Sequence, residues 1–179
     1  MAPKGAAFLY ARREVQDGLE PLVVSWGYEN TQPSASQFID YHEWQGTRDL
    51  AAYLSVTAAI DFQQENHWEA VCDRCHHLAV DARRRINALT SLEPVCPESS
   101  RWFGQMFTAR LPENTDLQAL SSHLFHDRQI EVPLTLWNEQ PLIRVSVQGY
   151  NTQADLDTLI AALQDYSKPG KSPCRGVLN

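Results

Sequence analysis

No run of apolar residues in this 179-residue chain approaches the ~18 that a helix needs to cross a bilayer. The first ten residues lack the long apolar centre and small-residue cleavage site of a secretion signal, so the expected compartment is the cytoplasm. No lysine or arginine block of the kind that tracks phosphates occurs, and a net charge of −7 argues against a nucleic-acid partner. Four cysteines, Cys72, Cys75, Cys96 and Cys174, are too few and too irregular for a disulfide scaffold, and in a reducing compartment they stay thiols. There is no internal repeat and no glycine-rich nucleotide loop.

What is present suffices for a core: 43% of the residues are hydrophobic, and the length suits about one domain. A turn at Pro3-Lys4-Gly5 leads into an expected buried strand over residues 6–11, and a second short strand is expected over 22–25. Residues 26–41 read as a loop, and their aromatics Trp26, Tyr28, Phe38 and Tyr41 mark it as a cofactor or subunit contact. The run Trp44-Gln45-Gly46-Thr47-Arg48-Asp49 then opens a helix, with Thr47 as its expected N-cap and Asp49 in its first turn. A helix opening attracts phosphate, because free N–H groups and the positive end of the dipole point there.

The longest helix carries Trp68, Val71, Cys72, Cys75, Leu78, Ala79, Ala82, Ile86 and Leu89 at three- and four-residue spacing. Its segment Cys72-Asp73-Arg74-Cys75-His76 fits the c-type haem attachment pattern. Both cysteines fall on the apolar stripe, however, and no further metal ligands stand at sensible spacing, so core cysteines are the reading and no metal is assigned. Arg83-Arg84-Arg85 is read as a solvated helix surface. A strand over 102–111, a helix through Leu117, Leu120 and Leu124, a strand over 130–137, a turn at 138–141 and a partner strand over 142–147 follow. Thr152 with Asp155 forms a capping box for a last helix with Leu156, Leu159, Ile160 and Leu163 on its apolar face. Residues 167–179, rich in Lys, Pro, Gly and Ser, are expected to form a flexible tail. The order of elements fits an α+β layer, with helices on a small, mainly antiparallel sheet.

Arg144 stands inside the apolar strand Leu142-Ile143-Arg144-Val145-Ser146-Val147, where a buried planar cation could receive a carboxylate through two parallel hydrogen bonds. Isolated, such an arginine pairs with a carboxylate of its own protein.

Ala2 to Tyr10, Ser25-Trp26-Gly27-Tyr28, Trp44 to Asp49, and Arg144-Val145-Ser146 with Tyr150-Asn151 together resemble the second half of a class V aminotransferase, a fold-type I enzyme dependent on pyridoxal phosphate. Within that family the isopenicillin N epimerase branch is nearer than the cysteine desulfurases. The resemblance implies a remnant of the large cofactor-binding domain in residues 1–45, with a piece of its sheet, and the small C-terminal domain in 46–166. It implies that Arg144 holds the substrate α-carboxylate. It also implies that Gly46 and Thr47 contact the cofactor phosphate of the other subunit, hence a homodimer. The Schiff-base lysine of the family precedes the Pro-Lys-Gly turn, so Lys4 is not that lysine, and a complementary N-terminal half would have to supply it. No catalytic acid or base is assigned: His42 alone lies near a candidate segment. The implied substrate is an amino-acid-type small molecule. The alternative is a non-catalytic remnant or interaction module of the same fold.

Overall fold

The computed structural model describes residues 2–167, so the expected tail lies outside the described residues beyond Ser167. Contacts divide the chain into two units, Met1–Asn66 and His67–Asn179.

In the first unit, helix α1 (Arg13–Gln16) and helix α2 (Gln37–His42) precede helix α3 (Ala51–Glu65). Among its described residues no strand forms, which corrects the strands expected over 6–11 and 22–25. The reason is visible in burial: none of residues 2–66 is buried, and Phe8, Leu22 and Trp26 are 92%, 102% and 89% exposed. An apolar strand persists only where a neighbouring strand takes its backbone groups and another layer takes its side chains. The Pro3-Lys4-Gly5 turn does form, with Gly5 at φ +98°. Gly27 is required by a close approach, since a Cβ there would lie 1.7 Å from the carbonyl oxygen of Asp40 in α2. Ser36 caps α2 through a hydrogen bond from the Ile39 N–H, 3.3 Å.

The second unit carries the core. Helix α4 (Trp68–Thr90) buries Cys75, Ala79, Ala82, Arg83 and Ile86. Strand β1 (Met106–Arg110) follows, then helix α5 (Leu117–Ser122), which runs on into a π-helical turn (His123–Asp127). Strand β2 (Leu134–Trp137) and strand β3 (Gln140–Ser146) form the expected hairpin. Its two-residue turn places Asn138 at φ 47° and Glu139 at φ 63°, the double left-handed geometry that matches the twist of paired strands. Strands β1 and β2 are shorter than the sequence suggests, because residues 102–105 and 130–133 make no ladder.

The sheet is antiparallel with order β1-β3-β2, and helix α4 packs against β1. Helix α6 (Gln153–Ser167) packs on α4 and buries Leu156, Leu159, Ile160, Ala162 and Leu163. The capping box is reciprocal: the Thr152 N–H donates to Asp155 Oδ2 at 2.8 Å, and the Asp155 N–H donates to the Thr152 hydroxyl at 3.4 Å. Alternation along the strands sends Phe107, Ala109, Ile143, Val145 and Val147 into the core, so helices cover one face of this α+β unit.

The arginine cluster departs from expectation. Arg83 is 2% exposed, not solvated. Its guanidinium lies 5.0 Å from the Phe103 ring centroid, donates to the Cys96 carbonyl and stands 3.6 Å from Glu98 Oε2, while its Nε has no partner. Position 83 continues the buried stripe of Ala79, Ala82 and Ile86, and a long apolar stem with a ring beneath it offsets part of the desolvation. Arg84 forks onto Glu98, holding that carboxyl below its ordinary value, and Arg85 bridges Asp81 and Asp157.

Candidate functional site

Gly46 and Thr47 lie in the first unit and Arg144 in the second. Thr47 is not a helix cap: α3 begins at Ala51, after Leu50, and the Asp49 carboxylate accepts the Ala51 N–H at 2.8 Å. Gly46 and Thr47 occupy a bend before the helix, so any phosphate contact there uses loop N–H groups rather than the helix opening. Leu50 occupies the N-cap position without a side-chain bond, and Asp49, one position further out, takes the first helical N–H through its short carboxylate.

Gly46 nonetheless leaves its backbone open to close approach. Its φ of +116° is one that side-chain-bearing residues avoid, and nothing stands within 4 Å of where a Cβ would be. It lines a cavity of about 780 Å³, together with Phe8, His42, Trp44, Arg48 and Tyr53. Thr47 does not line it. Arg48, which sequence reasoning passed over, supplies a cation: its guanidinium lies 5.0 Å from the Tyr53 ring centroid and donates to Gln45 Oε1 at 3.2 Å. The signal was its place directly after Gly-Thr. The His42 Nδ1–H donates to the Phe38 carbonyl at 2.9 Å. An open glycine backbone, a guanidinium and an aromatic wall suit a phosphorylated aromatic cofactor such as pyridoxal phosphate. The sequence holds three lysines, Lys4, Lys168 and Lys171, and the one that is described, Lys4, is not among the cavity-lining residues.

Arg144 is exposed, which corrects the expectation of a buried cation. Strand periodicity is the cause: Ile143 and Val145 face the helices, so Arg144 between them faces the uncovered side of the sheet. Its backbone N–H donates to the Pro133 carbonyl at 3.0 Å, and it pairs across β1 with Thr108. Among the described residues its guanidinium has no ion pair or hydrogen bond, so both edges of its fork are free for a ligand. Asn151 holds the turn after β3, its Oδ1 accepting the Gln148 N–H at 2.9 Å, while Tyr150 is 81% exposed.

Of the two haem-motif cysteines, Cys75 behaves as core, whereas Cys72 is only half-buried and lies outside the core cluster. Cys75 is fully buried within continuous α4, and no cluster of His, Cys, Asp or Glu among the described residues could hold a metal. No helix among the described residues is long and apolar enough to cross a membrane.

A family model described as aminotransferase class V matches residues 1–159. The chain is 36% identical over 177 residues to the isopenicillin N epimerase of Amycolatopsis lactamdurans, covering 94% of this chain and 44% of that protein. It is 31% identical over 173 residues to the isopenicillin N epimerase of Streptomyces clavuligerus, covering 91% and 44%. A probable chloroplastic L-cysteine desulfhydrase of Arabidopsis thaliana is 26% identical over 188 residues, covering 94% and 38%. The chain thus spans less than half the length of these relatives. The match over residues 1–159 shows that the chain is a member of the class V aminotransferase family, whose fold-type I enzymes use pyridoxal phosphate.

Proposed function

We propose that the chain is the C-terminal part of a pyridoxal-phosphate-dependent enzyme of the isopenicillin N epimerase type, acting at the α-carbon of an amino-acid-type substrate. The observation that carries this reading is the unpartnered guanidinium of Arg144 on the open face of the sheet. A carboxylate received there through two parallel hydrogen bonds is fixed in position and in plane. That fixes which α-carbon bond faces the cofactor, and orientation of this kind supplies much of the rate. When bound, the cofactor supplies the electron sink for breaking that bond.

Gly46 and Thr47 contact the cofactor phosphate through loop N–H groups and the Thr47 hydroxyl, with Arg48 adding charge. Residues 1–45 belong to the large domain and 46–166 to the small one. The lysine that holds the cofactor comes from a complementary N-terminal half, and the working enzyme is a cytoplasmic homodimer. The exposed Phe8, Leu22 and Trp26 support a first unit built to be covered. The same surface supports a second reading, a non-catalytic interaction module of this fold.

Supplying the matching first half of the Amycolatopsis relative in trans separates the two. Exchange of an amino acid's α-proton in heavy water, followed by NMR, should appear only with both parts present. It should fall about 100-fold with Arg144→Gln, as expected when one charge-assisted fork worth ~3 kcal/mol is lost. Exchange indifferent to Arg144, or none at all, favours the module.

A further inference from the structure

Arg144 is not alone on its face. In the register of β1 with β3, Thr108 stands opposite Arg144 and Arg110 stands opposite Leu142, so Arg110 is the diagonal neighbour of Arg144. Alternation sends Met106, Thr108 and Arg110 to the same uncovered side as Leu142, Arg144 and Ser146. Diagonal partners on one face lie about 7–8 Å apart at Cα, within mutual reach of long side chains.

Like charges so placed repel, and four other arginines of this unit are paired, whereas among the described residues Arg74 donates only to the Gly149 carbonyl and Arg101 has no ion pair. Arg83 and Arg84 hold Glu98, Arg85 holds Asp81 and Asp157, and Arg128 holds Asp165. Neither Arg110 nor Arg144 has an ion pair or hydrogen bond through its side chain among the described residues, and none of the six positions named on this face carries a carboxylate. Thr108 is the ladder partner of Arg144, and Leu142, 9% exposed, is the apolar ladder partner of Arg110. Two unpaired arginines at diagonal positions of one sheet face suit two anionic groups joined by a few methylenes.

We propose that Arg110 is a specificity residue of the Arg144 site: it receives a second anionic group, so the preferred substrates are dianionic. This rests on the reading of Arg144 as the carboxylate receiver. A monoanionic substrate leaves Arg110 unneutralised beside the occupied fork, whereas a dianionic one satisfies both cations.

The test is an NMR titration of the purified chain with acetate and with glutarate, following the amide signals of Thr108, Leu142 and Ser146. Glutarate is expected to bind about tenfold more tightly than acetate, the effect of one further charge-assisted contact partly screened by water. Arg110→Gln should collapse that ratio to near one, and Arg110→Lys, which keeps the charge but loses the fork, should leave it in between. Arg144→Gln should weaken both ligands. If Arg144→Gln weakens both but glutarate has no advantage, or the advantage survives Arg110→Gln, the role given to Arg110 is overturned while Arg144 stands. If Arg144→Gln changes neither affinity, or neither anion moves these signals, the reading of Arg144 falls and this inference with it.

Discussion

Replacing Arg83 by methionine should cost little, whereas replacing it by alanine should cost about 3 kcal/mol. The guanidinium is 2% exposed, its Nε has no partner, and its Glu98 contact is shared with Arg84. Most of what Arg83 contributes is therefore its stem and its stacking on Phe103, 5.0 Å away. Truncation to alanine keeps the Cβ and removes two buried methylenes, about 1.6 kcal/mol at ~0.8 kcal/mol each, and the cavity left behind costs roughly 1 kcal/mol more. The ring contact adds ~1 kcal/mol, and the Cys96 carbonyl left without its donor costs roughly 1 kcal/mol more. Relief of a desolvated charge with an orphaned nitrogen offsets about 1–2 kcal/mol of that total. Methionine keeps the stem, fills the space over the ring and gains the same relief, so its net cost is below ~1 kcal/mol. Thermal unfolding followed by circular dichroism reads the difference: at ~4 °C per kcal/mol for a unit of this size, alanine lowers the midpoint by about 12 °C and methionine by less than about 4 °C. Equal losses in the two variants would refute the reasoning, because they would assign the stability to the charge itself.

Stability should also fall in acid. Hydrogen bonds from Arg84 hold Glu98 below its ordinary value of 4.5, those from Thr152 hold Asp155 below 3.8, and those from Arg85 hold Asp157 below 3.8. Depressed carboxylates stabilise the folded state above their ordinary values and lose that contribution as pH falls through the lower folded ones. The unfolding midpoint should therefore decline below about pH 4.5, and Glu98→Gln should remove the first part of the decline. Ile143→Ala, at a fully buried position in the central strand, should cost about 2–5 kcal/mol by urea titration. Gly27→Ala forces a methyl to 1.7 Å from the Asp40 carbonyl, so hydrogen exchange at the amides of Asp40 and Glu43 in the α2 region should quicken at least several-fold.

The second unit was largely legible in the sequence because its signals are local or periodic. The apolar stripe of α4, the Thr152–Asp155 box and the turn at Asn138 each depend on residues a few positions apart. Cys75 was readable as core for the same reason: its spacing to Ala79 and Ala82 outweighs a haem-like motif. Arg83 was missed because a helix stripe is as wide as its neighbours allow, and only Phe103, twenty positions on, makes room for a guanidinium. Arg144 was placed inside because the strand reads as apolar throughout, yet helices cover one face of the sheet. Which face is covered is a tertiary fact. The strands expected before residue 26 failed for a related reason, since ladder partners and a second layer are not encoded in the segment itself. Gly46 was legible as a special position, while Thr47 was overvalued as a cap because Asp49 is the better acceptor for the first free N–H.

The central proposal, that residues of this chain contact the cofactor phosphate and the substrate carboxylate while Lys4 does not hold the cofactor, is tested most directly by trapping. The purified chain is mixed with pyridoxal phosphate, reduced with borohydride, digested and mapped by mass. The account predicts no stoichiometric adduct at any single lysine. A single stoichiometric adduct, on Lys4 above all, would contradict it, because the chain would then build a complete cofactor site around a residue assigned here to a turn.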